Sequence, residues 1–529
     1  MPTLEWTGKD KVMNHHQNVP FRVLERSYSF DAAGHHEEDN GSENMIIHGD
    51  NLEALKALLP RYEGRVKCIY IDPPYNTGNE GWCYNDNVND PKMKKWLGEV
   101  VGKEGEDLSR HDKWLCMMYP RLKLLHKLLA DDGAIFISID DNEQANLKLA
   151  CDEIFGSNCF VVDLIWRTAD SSNNDAKQFS VDYNHTLIYS KKENWKPCRF
   201  SRKDENNKHY KNPDNDIRGP WFSGNVSSPN PRENLCYDVI SPKGFVIHAP
   251  KNGWRWSKEK MDKMISDKMV IFSDDGLRLI KKTYLRDQAG IVPSNIWWDV
   301  EETGHNRNAK YELLKIFPEL HSSEVFKTPK PTKFIARILQ LFNMEDCIVL
   351  DSFAGSGTTA HAVLNMNKQD GGNRTFILVE MEDYADTTTA ERVKRVISGY
   401  GEGKNAVEGT GGGFSFYELG EPLLLDAEHL NEAVGVEKIR EYVWFMETKR
   451  PFVSVPNDNP FYLGSNNHVD YYFYYEPETV TVLDYDFLTT LSGKADGTVI
   501  YADRCALSEE QLTDLNIVFK KIPRDIARL

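Results

Sequence analysis

The feature that most constrains this chain is an alternation of short apolar runs with helical patterns, which starts at Met45, breaks off near Phe160 and resumes at Lys333. Met45-Ile46-Ile47-His48 is followed by the helical stretch Leu52 to Leu59. Cys68-Ile69-Tyr70-Ile71 is followed by the amphipathic stretch Met118 to Leu129, and Ala134-Ile135-Phe136-Ile137-Ser138-Ile139 closes the series. That order predicts a parallel sheet with helices on its faces, because parallel neighbours need a crossover long enough to hold a helix. After the break, Lys333 to Phe342 and Thr358 to Met366 have helical patterns, while Cys347 to Leu350 and Thr375 to Val379 are apolar strands. One α/β domain is therefore interrupted by an insert.

The expected organisation is an arm over 1–40, the first half of the sheet domain over 41–159, the insert over 160–325, the second half over 326–400 and a C-terminal domain over 401–529. The arm ends in the polar run His35-His36-Glu37-Glu38-Asp39-Asn40-Gly41, which cannot build a core and reads as an exposed loop rather than a metal site. The insert is rich in Asn, Asp, Pro, Gly, Trp and Lys. Turn clusters such as Asn212-Pro213-Asp214-Asn215-Asp216 mark it as an irregular, β-containing module. No internal repeat is visible.

A net charge of −17 argues against nucleic acid as a partner until its distribution is read. From Phe160 to Lys333 there are 29 Lys and Arg against 23 Asp and Glu, a net +6 that leaves −23 on the remainder. One cationic region on an acidic protein suits a local DNA contact, although chance variation in a solvated surface gives the same count. No run approaches the ~18 apolar residues of a membrane span. The nine cysteines form no Cys-x-x-Cys pair or Cys/His cluster, so reduced thiols in a cytoplasm, with no metal site, are expected.

Cys347-Ile348-Val349-Leu350 runs into Asp351-Ser352-Phe353-Ala354-Gly355-Ser356-Gly357, and Thr358-Thr359-Ala360 opens a helix. Glycines at a strand-to-helix turn permit tight backbone geometry and close approach of a ligand at the carboxyl end of a strand. A Gly-x-Gly can also serve packing alone, and no Lys follows to make a phosphate loop. The next strand ends at Glu380, placed to accept hydrogen bonds from ribose hydroxyls. Turn and acid together point to a cofactor containing a nucleoside.

The strand Ile69-Tyr70-Ile71 delivers Asp72-Pro73-Pro74-Tyr75 at the carboxyl end of another core strand. Two prolines fix φ and make a rigid shelf on which the Asp72 carboxylate and the Pro73 carbonyl can both accept from one –NH2 group. This is what methylation of a base amine requires, since orienting the N–H bonds turns the delocalised lone pair toward an electrophilic methyl group. The Tyr75 ring offers a stacking face for an extruded base. A Pro-Pro-Tyr can also be a structural turn or a peptide ligand, readings that fit a disordered segment better than one fed by a buried strand. Gly49-Asp50-Asn51 ends a further strand. Asp50 there can reach the adenine amine of a cofactor or simply cap the helix that follows.

Together these motifs resemble the amino-methyltransferases of DNA, and the order of catalytic motif, long insert and cofactor turn resembles their beta class. Met118-Tyr119-Pro120-Arg121-Leu122, the stretch from Asp132 to Glu143 and Lys327-Thr328-Pro329-Lys330-Pro331-Thr332 are similar to the modification subunit of type III restriction–modification systems. The likeness is looser in Ile500-Tyr501-Ala502-Asp503 and from Phe519 to Ile526. The resemblance implies a doubly wound, mostly parallel seven-stranded Rossmann-like sheet with permuted motif order, and an insert that serves as target recognition domain. It implies S-adenosylmethionine as cofactor and duplex DNA as substrate. Asp72, Pro73, Pro74 and Tyr75 would be catalytic, with the base flipped out. Asp50, Asn51, Lys330, Pro331, Thr332, Asp351, Phe353, Ala354, Gly355, Gly357, Thr358 and Glu380 would bind the cofactor. Phe353 would meet its adenine, Gly355 and Gly357 its amino-acid end, and the segment Thr328 to Thr332 would close over its methionine.

Asp at the first tetrad position implies adenine N6, as Ser there goes with cytosine N4. Cytosine N4 is the alternative acceptor. RNA or protein glutamine, which go with Asn at that position, and a silent DNA-recognition subunit are further alternatives. The type III likeness also implies a homodimer and a separate ATP-dependent restriction subunit, because the chain carries no Gly-x-x-x-x-Gly-Lys-Ser/Thr loop and no evident nuclease cluster.

Overall fold

The computed structural model describes residues 4–77, 110–342, 344–425, 429–454, 457–491, 495–522 and 526. Cys83 and the Pro523-Arg524-Asp525 stretch of the C-terminal likeness lie outside these residues. Two compact units emerge, one made of 1–196 with 294–529 and the other of 197–293.

The larger unit is built on a sheet of eleven strands: β1 (Arg22–Asp31), β2 (Gly34–His36), β3 (Met45–His48), β4 (Val66–Ile71), β5 (Leu129–Ile139), β6 (Phe160–Arg167), β7 (Tyr183–Ser190), β8 (Ile296–Trp297), β9 (Ile348–Asp351), β10 (Thr375–Glu380) and β11 (Gly413–Pro422). Their order is β8-β6-β7-β5-β4-β9-β10-β3-β11-β1-β2. The run β5-β4-β9-β10-β3 is parallel throughout. β7 lies antiparallel between β5 and β6. The seven strands from β6 to β3 are thus the mostly parallel core that the sequence implies. β8 widens it at one edge, and β11, β1 and β2 widen it at the other.

Period-two alternation gives this sheet two apolar faces. Ile69, Ile71, Ile135, Ile137, Ile377 and Val379 share one core with the helices α1 (Asn51–Tyr62), α2 (Arg110–Leu128) and α3 (Gln144–Phe155). The intervening residues face the other way. Tyr70 and Trp166 stand 6.1 and 4.6 Å, centroid to centroid, from Phe334. Phe334 belongs to α5 (Thr332–Leu339), which follows α4 (Asn306–Ile316) and precedes α6 (Thr358–Asp370). Helices therefore cover both faces. From β4 the chain proceeds to β5 on one side, and from β9 to β10 on the other. The carboxyl ends of β4 and β9 flank the switch point where a doubly wound sheet opens a crevice.

Three boundaries differ from the sequence reading. The separate unit is 197–293 rather than 160–325, because β7 pairs with β5 and β6 pairs with β7 in the main sheet. Only the turn-rich middle of the insert leaves the sheet. It folds around Val239, Ile247, Trp254, Met261, Val270 and Leu279, with Trp221 also buried. It holds 18 Lys and Arg against 12 Asp and Glu, so the whole +6 excess lies there. Second, part of the expected arm is strand: β1 pairs with β11, burying Val23 and Tyr28. Third, β11 places the start of the C-terminal region in the main sheet beside β3. Beyond it, the helix Val436–Thr448 packs on a four-stranded sheet through Ile439, Val443, Phe473 and Tyr501. Among the described residues no helix is long and apolar enough to cross a membrane.

Candidate active site

β4 ends at Ile71, and Asp72 is 9% exposed at the edge of the crevice. The Tyr75 hydroxyl donates to Asp72 Oδ1 at 2.8 Å, and Asn184 of β7 donates to the same hydroxyl at 3.2 Å. Burial, with the neighbouring Asp72 charge, pushes the Tyr75 phenol well above its ordinary range, so it stays neutral. Trp114 of α2 donates from Nε1 to the Pro74 carbonyl at 2.6 Å. Asn76 leaves the turn in the left-handed region, at φ 58°, and its side-chain amide donates to Glu143, which is fully buried. Glu143 also holds His111 at 2.7 Å and accepts from Asn146 at 2.8 Å. The shelf is thus fixed from α2, β7 and the start of α3, with the Asp72 carboxylate turned to the crevice.

The Gly-rich turn follows β9. Gly355 and Gly357 have φ of 52° and 77°, a region that favours glycine, and a Cβ at Gly357 would lie 3.0 Å from the Thr389 carbonyl oxygen. The N–H groups of Ala354 and Gly355 donate to the Val379 carbonyl at 3.1 Å and to Glu380 Oε2 at 2.8 Å, tying the turn to the end of β10. Asp351 accepts from the Phe353 N–H at 3.1 Å and the Thr359 hydroxyl at 2.6 Å. Burial pushes its carboxyl up to about 7, more than those hydrogen bonds hold it down.

Shelf and turn meet in one cleft, lined among others by Asp72, Lys330, Asp351, Phe353, Gly355 and Thr358. Lys330 Nζ donates to Asp72 Oδ2 at 2.5 Å and stands 5.2 Å from the centre of the Tyr75 ring. Residues far apart in the chain therefore meet in one cleft: Asp72, which holds the Tyr75 hydroxyl, lines it together with the glycine turn, and Glu380, 1% exposed, ties that turn.

Residues 66–392 match the DNA methylase family of N6 and N4 methyltransferases. This chain belongs to that family. Among its relatives is the Mod subunit of the type III restriction-modification enzyme StyLTI of Salmonella typhimurium, 36% identical over 66% of this chain and 54% of the relative. The EcoP15I Mod subunit of Escherichia coli is 34% identical over 66% of this chain and 60% of the relative. The type II methyltransferase M.KpnI of Klebsiella pneumoniae is 31% identical over 65% of this chain and 81% of the relative. The chain spans little more than half the length of the two Mod subunits.

Of the residues that the DNA methylase resemblance assigns to the cofactor, Asp50, Asn51, Pro331 and Thr332 are not among those lining the cleft, and neither are Gly357 and Glu380. Asp50 caps α1, accepting from the N–H groups of Leu52 and Glu53 at 2.8 and 3.2 Å, and its other oxygen takes Arg121 Nη2 at 3.1 Å. Asn51 donates to the Ser352 carbonyl at 3.3 Å and accepts from Arg121 Nε. Pro331 is the N-cap of α5, and the Thr332 hydroxyl donates to Glu312 at 2.6 Å. These four brace the crevice through protein partners.

Three supporting residues are given no role by the sequence. Arg121, fully buried, joins the end of β3 to α2. Arg392, also fully buried, donates to the hydroxyls of Ser356 and Thr358 at 2.9 and 2.8 Å. Thr389 donates to the Gly355 carbonyl at 2.6 Å. No local signal marks them: Arg121 is followed by Lys123 and Lys127, and Arg392 lies between Glu391 and Lys394.

Proposed function

We propose that this DNA methylase transfers a methyl group from S-adenosylmethionine to N6 of adenine in duplex DNA, as the modification subunit of a type III restriction–modification system. The meeting of Asp72, which holds the Tyr75 hydroxyl, with the turn from Phe353 to Ser356 in one cleft carries this reading, since it puts an amine-orienting carboxylate beside a nucleoside-type cofactor turn. The residues present fit the cofactor. Glu380 is held at the turn with a carboxylate suited to a ribose diol, Lys330 offers an ammonium to a carboxylate, and the Ser352 hydroxyl is buried and lacks a hydrogen-bond partner that a ligand would supply. When bound, that cofactor supplies the electrophilic methyl group.

The chain's own residues then orient the acceptor. Asp72 and the Pro73 carbonyl accept the two N–H bonds of the amine, Tyr75 stacks on the extruded base, and the buried walls exclude water. The cationic 197–293 unit supports duplex DNA as substrate and target recognition as its own role. Asp at position 72 supports adenine. The names of the Mod relatives support the type III assignment, and with it a homodimer and a restriction subunit as partner.

Labelled S-adenosylmethionine offered with duplex DNA, RNA and protein tests the reading, followed by base-resolution mapping of the modified positions. Label in N6-methyladenine of DNA is expected. Label in N4-methylcytosine reassigns the base, and no transfer to DNA overturns the proposal.

A further inference from the structure

Both oxygens of the Asp72 carboxylate are already engaged. Oδ1 accepts the Tyr75 hydroxyl at 2.8 Å, and Oδ2 accepts the Lys330 ammonium at 2.5 Å. The same ammonium stands 5.2 Å from the centre of the Tyr75 ring, and Lys330 is 7% exposed. An N–H donor against this carboxylate and beside this aromatic ring reproduces the contacts assigned above to the amino group of a stacked base. A carboxylate oxygen can accept more than one hydrogen bond, so the competition is for space: the ammonium, against Oδ2 and 5.2 Å from the ring centre, sits where the amino group of a base stacked on Tyr75 would come.

Lys330 also lines the cleft that the Gly-rich turn closes from the other side, within one wall composed of Thr328, Pro329 and Lys330. Its charge sits on a flexible four-carbon stem, so the head can swing while the backbone stays in place. Taking a buried ammonium from its carboxylate is unfavourable unless another anion receives it. The amino-acid end of the cofactor brings such an anion.

We infer that Lys330 is a positioning residue that fills the amine subsite of the unloaded enzyme and is drawn to the cofactor's carboxylate on loading, so that the extruded base gains Asp72 only afterwards. The inference rests on the adenine-methylating reading. It makes cofactor and flipped base bind cooperatively, each raising the affinity for the other by the same factor.

The test uses the full chain and a duplex containing the mapped site with the target adenine intact and 2-aminopurine in place of the base next to it, whose fluorescence rises when the neighbouring adenine leaves the stack. With wild type, S-adenosylhomocysteine is expected to raise the flipped fraction about tenfold. Methylthioadenosine, which has the nucleoside but no carboxylate, is expected to leave it unchanged. Lys330→Met is expected to flip the base without either compound, and Lys330→Arg to restore the dependence in part. Wild type that flips equally with and without S-adenosylhomocysteine overturns the inference, as does wild type that responds equally to methylthioadenosine. Neither result depends on how the variants fold. Labelled methyl transfer to the same duplex by wild type separates the two claims: transfer with ligand-independent flipping sinks the inference alone, whereas no transfer sinks the functional reading and the inference with it.

Discussion

The Gly355 backbone N–H donates to Oε2 of Glu380 at 2.8 Å, while Oε1 of the same carboxylate accepts from the Glu382 N–H at 3.0 Å. One acid thus couples the turn after β9 to the end of β10, which fixes the orientation of its carboxylate. Glu380→Ala is expected to weaken S-adenosylmethionine binding by about 10- to 100-fold, the worth of one to two charge-assisted hydrogen bonds. Calorimetric titration checks this, and an unchanged Kd would remove Glu380 from the cofactor site.

On the proposed reading Asp72 serves the acceptor rather than the cofactor. Asp72→Ala is expected to abolish methyl transfer while S-adenosylmethionine binds at least as tightly as to wild type, because Lys330 no longer has Asp72 to leave. Lost binding in a variant with an intact far-ultraviolet spectrum would mean that the shelf has been given the wrong role.

Asp351 links stability to pH. Its folded-state pKa is raised from 3.8 to about 7 by burial, so between those values the folded chain binds more protons than the unfolded one. The contribution of this group to stability is then greatest below about pH 4, falls as pH rises to about 7 and levels off above, with a slope of up to about 1.4 kcal/mol per pH unit. Asp351→Asn, which keeps the shape and holds the group neutral, is expected to flatten that stretch of the curve. Urea midpoints at pH 5 and pH 7.5 decide it: equal shifts in both proteins would take Asp351 out of the linkage.

Arg121 is a structural prop with three different partners, Asp50, Asn51 and the Met117 carbonyl. Arg121→Met roughly keeps the volume but takes the guanidinium from the Asn51 side chain and from Asp50, whose side chain is 33% exposed, and is expected to cost about 1–3 kcal/mol. Chemical denaturation measures the loss. A cost under about 1 kcal/mol would show that water replaces the guanidinium.

Much of the architecture was legible because sheet burial writes itself into sequence. A parallel strand covered on both faces is an unbroken apolar run, as in Ile69-Tyr70-Ile71 and Phe376-Ile377-Leu378-Val379. β6 and β7 escaped this logic. They are broken by half-buried Asp163, Asn184 and His185 and separated by a polar loop, so they read as part of the insert until the pairing of β7 with β5, and of β6 with β7, placed them in the sheet. β1 was hidden likewise, since its partner β11 lies nearly 400 residues away.

The sequence by itself determined the chemistry on offer: an Asp-Pro-Pro-Tyr shelf and a glycine turn, each at the end of an apolar strand. Local rules suffice there, because prolines, glycines and strand ends fix the backbone within a few residues. Tertiary structure alone decided that β4 and β9 are neighbours, that Asp50 caps a helix and takes Arg121, and that Lys330 reaches across to Asp72. Lys330 and Asp72 are 258 positions apart, and no local preference encodes such a meeting. It follows from which apolar faces the whole chain can bury at once.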